Sequence, residues 1–160
     1  MGEVKNIELF NSPLETALRT LLIINKMKKV SLDGLIIYDY LCLNTNDFNG
    51  PSSIQPPIPN RNVQILIRRE IIKEGLKILV SKELVDVKFM KGGIFYSHSK
   101  LTKLFLEHMK SDYKSKLQDR VDWVYEQFAE MSEKKLKKFV FDKIENWGNE
   151  ITSQTTNTSN

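Results

Sequence analysis

The feature of this sequence that most restricts its fold is a pair of adjacent glycines, Gly92 and Gly93. They separate two short segments, 84–90 and 94–97, that are rich in β-branched and aromatic residues. Residues of those types favour strands, and a tight glycine turn between two such segments is the pattern of a β-hairpin. The sequence therefore predicts a two-stranded hairpin with Lys91, Gly92 and Gly93 in its turn.

Three helical patterns precede this hairpin. Ser12, Ser31 and Asn60 are residues of the kind that cap helices, and apolar residues at a helical period follow each of them. The predicted helices cover residues 13–28, 32–43 and 61–81. Three helices followed by a hairpin form the element order of a winged helix. We therefore expect a mostly α protein with a winged-helix-like domain, in which the hairpin is the wing.

Further helices are expected after the hairpin. Ser99, Ser111 or Asp112, and Ser132 are candidate caps for helices that run to about residues 109, 130 and 147. The last residues are polar and low in complexity, which is typical of a disordered segment. The expected organisation is a winged-helix-like domain over 1–110, a C-terminal helical extension over 111–148 and a disordered tail over 149–160.

The residues that usually carry catalysis are sparse. Cys42 is the only cysteine, and His98 and His108 are the only histidines, at a spacing that matches no metal motif. The sequence also lacks the glycine-rich motifs that bind phosphates. We expect a protein with no catalytic residue, metal or cofactor, which acts by binding partners.

Membrane segments are not expected either. The N-terminal residues lack the pattern of a signal peptide, and no apolar run is long enough to span a bilayer. A lone cysteine also fits a reducing compartment, because it can form no disulfide within the chain. These features predict a cytoplasmic protein.

Positive charge is concentrated in the middle of the chain. Residues 61–116 carry 13 basic and 6 acidic side chains, whereas the whole chain has a net charge of only +4. The candidate nucleic-acid contacts are Arg68, Arg69, Lys73 and Lys77 on the third helix, with Lys88 and Lys91 on the wing. Glu70 and Glu74 interrupt the basic face, and the preceding connection is longer than a helix-turn-helix allows. Any DNA contact is therefore expected to be nonspecific.

The long proline-rich loop over residues 44–59 is a candidate for partner binding. Prolines reduce the entropy that a segment loses when it is ordered, which suits recognition. The residues predicted to contact a partner are Phe48, Ile54, Pro57, Ile58 and Arg61, together with Trp123, Phe139 and Trp147 of the last two helices. In the competing interpretation, the loop folds back on its own domain and these aromatics belong to the core. Arg61 is expected either to pair with Asp39 or Asp47 or to be solvated.

Several segments over roughly residues 8–110 resemble a known family in combination. They are FNSPLE at 10–15, Asp-Tyr-Leu at 39–41, Asp47-Phe48, PPIPNR at 56–61, RREIIKEGLKIL at 68–79 and GGIFY at 92–96. Together they are similar to the middle component of bacterial ABC three-component systems, a group that includes Lamassu-type phage-defence systems. The resemblance implies a small winged-helix-like subunit that has no activity of its own.

That resemblance also implies partners. The middle component would couple an ABC ATPase of the SMC or Rad50 type to an effector, often a nuclease, in defence against phages or plasmids. The main alternative is a free-standing winged-helix transcription regulator that dimerises through residues 111–147. A weaker alternative is a binding partner of the toxin–antitoxin type.

Overall fold

A computed structural model describes residues 12–54 and 61–156 of the chain, with the backbone alone for 61–64 and 146–156. Within these ranges there are six α-helices and one three-stranded sheet. The helices are α1 Pro13–Met27, α2 Leu32–Leu43, α3 Arg61–Ser81, α4 Thr102–His108, α5 Asp112–Phe128 and α6 Glu133–Thr156. The strands are β1 Lys29–Ser31, β2 Val85–Met90 and β3 Gly93–His98.

Serine side chains begin four of the helices as predicted. The hydroxyl oxygens of Ser12, Ser31, Ser111 and Ser132 each accept a hydrogen bond, at 3.0–3.3 Å, from the backbone N–H three residues later. Each bond satisfies one of the N–H groups that the first turn of a helix leaves without a partner. The starts of α1, α2, α5 and α6 are thus set locally by the sequence.

Ser99 is an exception, because it does not cap a helix. Its hydroxyl donates to the carbonyl of Glu83 at 2.7 Å and accepts from the N–H of Leu101, and α4 begins only at Thr102. The prediction of a helix that starts directly after Ser99 is therefore wrong by about two residues. Ser99 instead ties the start of α4 to the segment before β2.

The predicted hairpin is present, and a third strand joins it. Strands β2 and β3 pair antiparallel, with Met90 opposite Gly93 across the glycine turn. β1, which the sequence did not predict, pairs with β3 on its other side, so that the strand order is β1-β3-β2. The sequence did not reveal β1 because three residues are too few for an alternating pattern to be recognised. In the order β1-β3-β2, β2 lies at an edge of the sheet.

One hydrophobic core contains residues of the helices that precede the wing in the sequence and of those that follow it. Leu21 of α1, Ile72 of α3, Leu117 of α5 and Leu136 of α6 belong to the same cluster and are almost fully buried. The mostly α architecture, with helices added after a winged-helix-like arrangement, is confirmed. The added helices complete the core of the N-terminal part.

The last helix is longer than predicted. α6 continues through Thr156, so residues 149–156 of the expected disordered tail are helical, and residues 157–160 lie outside the described ranges. The polar composition of this segment suggested disorder, but it contains no proline, the residue that most strongly ends a helix.

Candidate partner-binding surface

The first part of the long loop folds back on the protein. Thr45–Phe48 form a 3₁₀ turn, and the ring of Phe48 is buried, with 7% of its surface exposed. Its centroid lies 6.2 Å from that of Tyr40, 6.2 Å from that of Phe128 and 6.1 Å from that of Phe139. Two of these contacts are edge-to-face, an arrangement that aromatic rings favour. Phe48 thus joins α2 to both of the last two helices.

Polar contacts hold the same loop in place. Thr45 Oγ1 donates to the carbonyl of Pro51 at 2.7 Å, and Arg120 Nε donates to the carbonyl of Ser52 at 3.1 Å. Gly50 lies so close to the indole of Trp123 that an added Cβ would stand 2.5 Å from the ring. Residues 45–52 therefore form a fixed part of the domain.

This placement corrects part of the predicted partner surface. Phe48 and Ile54 are buried in the protein's own core and do not face a partner. The inward packing of Phe48 depends on Phe128 and Phe139, which are about 80 and 90 positions away, and local sequence patterns do not reveal such contacts. The competing interpretation, that the loop folds back, is the one that the structure supports for both.

The other predicted partner residues are placed in different ways. Trp123 and Phe139 are half-buried and pack against the core. Pro57 and Ile58 lie outside the described residues. Arg61 and Trp147 lie on α3 and α6, but their side chains are outside the described part. A partner contact by these six residues stays a prediction.

A buried carboxylate links the first three helices. Asp39 of α2 accepts a hydrogen bond from Arg19 Nε at 2.9 Å and one from Arg68 Nη1 at 2.7 Å, one on each carboxylate oxygen. All three residues are at most 3% exposed. Burial alone would raise the pKa of Asp39, but the two guanidinium groups outweigh it and hold that pKa below its usual value. Charges buried this deeply need such partners.

The Asp39 pairs correct the prediction for Arg68. We expected Arg68 to contact nucleic acid, but its guanidinium lies in the interior and binds Asp39. The two oxygens of Asp39 bind Arg19 and Arg68. The pairing of Arg61 with Asp39 or Asp47 stays a prediction, because the Arg61 side chain lies outside the described part. Arg68 lies on the core side of α3, while its neighbour Arg69 lies on the solvent side.

The other candidate cations of α3 whose side chains the structure describes are paired at the surface, and Lys73 among them is half-buried. Arg69 binds Asp33 at 2.9 Å, Lys73 binds Glu70 at 3.3 Å and Lys77 binds Glu74 at 3.0 Å. Each nearby carboxylate offsets the attraction of its cation for phosphate. The positive charge that the sequence places on this helix is therefore largely balanced on the surface.

Two of the candidate nucleic-acid contacts lie on the wing and have no such partners in the described ranges. Lys88 and Lys91 are both exposed, and neither forms an ion pair with any residue in the described ranges. They lie on β2 and in the turn that follows it, at the tip of the hairpin. They are the predicted nucleic-acid contacts that are best placed for a polyanion.

Exposed apolar side chains mark surfaces that sequence reasoning missed. On α4 and at its ends, the outward residues are Leu101, Leu104, Phe105 and Met109, each exposed over more than a third of its surface. On the wing, Phe89 is 80% exposed, and Val87 and Ile94 lie on the same face of the sheet. The sequence offered one signal for the α4 surface, because Thr102 and Leu106 already fill the side of α4 that faces the core. The other apolar residues of α4 therefore lie on a second face of the helix.

Titratable and metal-binding groups offer little chemistry in the described part of the chain. The thiol of Cys42 is fully buried, and burial raises its pKa far above the usual value, so it stays protonated. In the ranges that the structure describes, no group of three or more His, Cys, Asp or Glu side chains is placed to hold a metal ion. No helix there is both long enough and apolar enough to cross a membrane.

Comparison with known proteins agrees with this arrangement. Residues 9–150 match the family described as ABC-three component (ABC-3C) system Middle Component 2. The match extends beyond the segments that carry the sequence resemblance and includes α5 and most of α6. No curated protein and no solved structure shows significant similarity to the chain. The extent of the family match decides the matter: this chain belongs to the middle component 2 family of ABC-three component systems.

Proposed function

We propose that the protein is a non-enzymatic adaptor that couples an SMC/Rad50-like ABC ATPase to an effector, often a nuclease. The complex would act in the cytoplasm, in defence against phages or plasmids. Family membership supports a role as one component of an ABC-three component system. The coupling, the partners and the defence role are the proposal.

The observation that carries this proposal is the second apolar face of α4. Leu101, Leu104 and Phe105 follow each other at intervals of three and one, so they share one side of the helix. They are 44%, 55% and 39% exposed, while Thr102 and Leu106 of the same segment are buried. A short helix needs only one apolar face for its own core, and a second one is typical of an interface.

The packing around this face also suits an adaptor. The ring of Phe48 packs against aromatic rings of α5 and α6 and so fixes both helices to α2. Lys114 Nζ of α5 donates a hydrogen bond to the carbonyl of Leu106 at the end of α4. A rigid surface loses little entropy on binding. The protein would thus offer two partners a fixed relative position.

Co-purification with a co-expressed ABC ATPase of an ABC-three component system tests this proposal. The double variant Leu104→Asp, Phe105→Ser places polar groups on the exposed face and leaves Leu106 in the core. We expect the variant to lose the ATPase while its melting temperature stays within about 2 °C of the wild type, because surface changes alter stability little.

The matched control is Lys103→Ala, Glu107→Ala, which changes the charged side of the same helix. It should retain the ATPase. Equal binding by wild type and both variants would show that α4 is not the partner surface.

Nonspecific DNA contact is a second, subordinate activity that the wing favours. Lys88 and Lys91 are exposed at the tip of the hairpin and are not neutralised by acids in the described part. A regulator that reads base sequence has less support, because α3 has one arginine in the core and its other candidate cations paired.

A further inference from the structure

The outer edge of β2 has open backbone groups and a self-complementary sequence. β2 is the last strand in the order β1-β3-β2, and five of its six residues are exposed. An open edge strand is a template for pairing with another strand. What it pairs with depends on which of its groups point outward.

The hydrogen bonds of β3 identify the outward groups. The N–H of His98 donates to the carbonyl of Lys28, on the side of β1. Because backbone groups alternate along a strand, Gly93, Phe95 and Ser97 point theirs toward β2. Their partners there are Met90, Lys88 and Asp86.

The three remaining residues of β2 therefore direct their N–H and C=O groups away from the sheet. They are Val85, Val87 and Phe89. In the described ranges no hydrogen bond to these groups comes from any other part of the chain. Val85 is only 2% exposed, so the accessible donors and acceptors at the sheet edge are the four of Val87 and Phe89.

The side chains of β2 match a second copy of the same strand. When two copies run antiparallel with Val87 opposite Val87, Asp86 of each copy faces Lys88 of the other, and Val85 faces Phe89. Asp86 and Lys88 are exposed and form no ion pair within the described residues. Opposite charges in directly facing positions stabilise a sheet, and like charges destabilise it. The outward groups of Val87 in the two copies then bond to each other at the centre of the pairing.

A hollow lies where this register would place the Phe89 ring. Phe89 is the most exposed large apolar residue of the described chain, at 80%. Next to Val85, which the register places opposite it, there is an open hollow of about 580 Å³ whose walls combine Val80, Val87 and Leu101 with the charged residues Glu83, Asp86 and Lys100. The apolar part of these walls would remove part of the ring from water. One register therefore brings backbone, charge and apolar contacts together.

We propose that the protein forms a two-fold dimer through antiparallel pairing of β2 with β2 of a second copy, centred on Val87. The two sheets then form one six-stranded sheet, with two Asp86–Lys88 pairs across the interface. The proposal does not depend on the adaptor function, and of the exposed α4 face it uses only Leu101, which lines the hollow.

Sedimentation velocity of the full chain across a range of concentrations tests the dimer and its register. Asp86→Lys and Lys88→Asp each place like charges opposite one another. Each should raise the dissociation constant about tenfold, which corresponds to about 1.4 kcal/mol.

The charge variants contain their own controls. The double variant Asp86→Lys, Lys88→Asp restores both pairs, and a mixture of the two single variants restores them in a heterodimer. Both should regain wild-type affinity, which a folding defect would not allow. A chain that stays monomeric at all concentrations overturns the proposal, and so does a dimer that ignores these charges.

Cross-linking tests the register independently. In a hydrogen-bonded pair of strands the facing Cα atoms are about 5.5 Å apart, within the range of a disulfide. Val87→Cys should therefore form a covalent dimer on oxidation with diamide. Lys88→Cys should not, because its two copies would lie diagonally at about 8 Å. Cys42 is buried and does not compete. Cross-linking of both variants to the same extent would contradict the register.

Discussion

Nη1 of Arg68 lies 2.7 Å from Oδ2 of Asp39 in the interior of the protein, while Arg69, the next residue, binds Asp33 at the surface. These adjacent arginines thus have different tasks. Arg68 compensates a buried charge and connects α3 to α2, whereas Arg69 forms an exposed pair of the kind that contributes little to stability.

The first prediction compares these two arginines. Arg68→Ala should lower the free energy of unfolding by about 3 kcal/mol, because Asp39 would keep only one of its two cations in a buried site. Arg69→Ala should change it by at most about 1 kcal/mol. Urea unfolding followed by circular dichroism measures both values. Similar losses for the two variants would contradict the assignment of Arg68 to the core.

The second prediction concerns acid stability. The pKa of Asp39 is below its usual value in the folded protein, so the folded state favours the ionised carboxylate. This contribution is fully present above the unfolded pKa of about 3.9, and it is lost as the pH falls toward the lower folded pKa. The free energy of unfolding should therefore decrease as the pH falls below about 4.

Asp39→Asn separates this contribution from that of other carboxylates. At neutral pH the variant should be less stable than the wild type, because two buried guanidinium groups lose their counter-ion. The stability difference should shrink as the pH falls through the folded pKa of Asp39. A difference that is independent of pH would show that Asp39 does not titrate in this way.

The third prediction concerns the loop after α2. Phe48→Ala removes a ring that lies between α2, α5 and α6, and the loss of a buried phenylalanine should cost about 3 kcal/mol. Thermal unfolding should show a lower melting temperature. Leu66→Ala is the control, because Leu66 is 72% exposed and its truncation should have little effect. A stable Phe48→Ala variant that loses its partner would restore the loop as a binding segment.

The fourth prediction concerns DNA. At concentrations where the chain is monomeric, so that Lys88 has no acidic partner across the dimer, replacing Lys88 and Lys91 by Ala should weaken nonspecific binding and reduce the salt dependence of the affinity by about two phosphate contacts. Replacing Lys73 and Lys77 should have a smaller effect, because Glu70 and Glu74 already neutralise them. Fluorescence anisotropy at several salt concentrations distinguishes the pairs. A larger loss for the α3 pair would mean that α3, not the wing, is the DNA surface.

Local signals explain what could be predicted from the sequence. Ser12, Ser31 and Ser111 identify helix starts because a cap bonds to an N–H only three residues away. The turn at Gly92 and Gly93 identifies the hairpin because it also depends on local residues alone. Both glycines have a positive φ, a conformation that favours glycine over other residues.

Contacts between distant residues explain what could not be predicted. The pairing of Asp39 with Arg68, 29 residues away, was not predicted, and it forms because the period of α3 places Arg68 on the core side. The burial of Phe48 depends on Phe128 and Phe139, which arrive from the other end of the chain. The helix and hairpin patterns were therefore recognisable, while the identity of the partner surface was not.

The position of Phe48 also has a consequence for synthesis of the protein. During translation, α1 to α3 and the wing leave the ribosome before the segment that carries Phe128 and Phe139 exists. Until α5 and α6 follow, the nascent chain has no partner rings for Phe48 and leaves open the core positions that Leu117 and Leu136 later fill. We therefore expect the chain to fold only near the end of its synthesis, and a messenger truncated before α5 to yield a product that proteases remove.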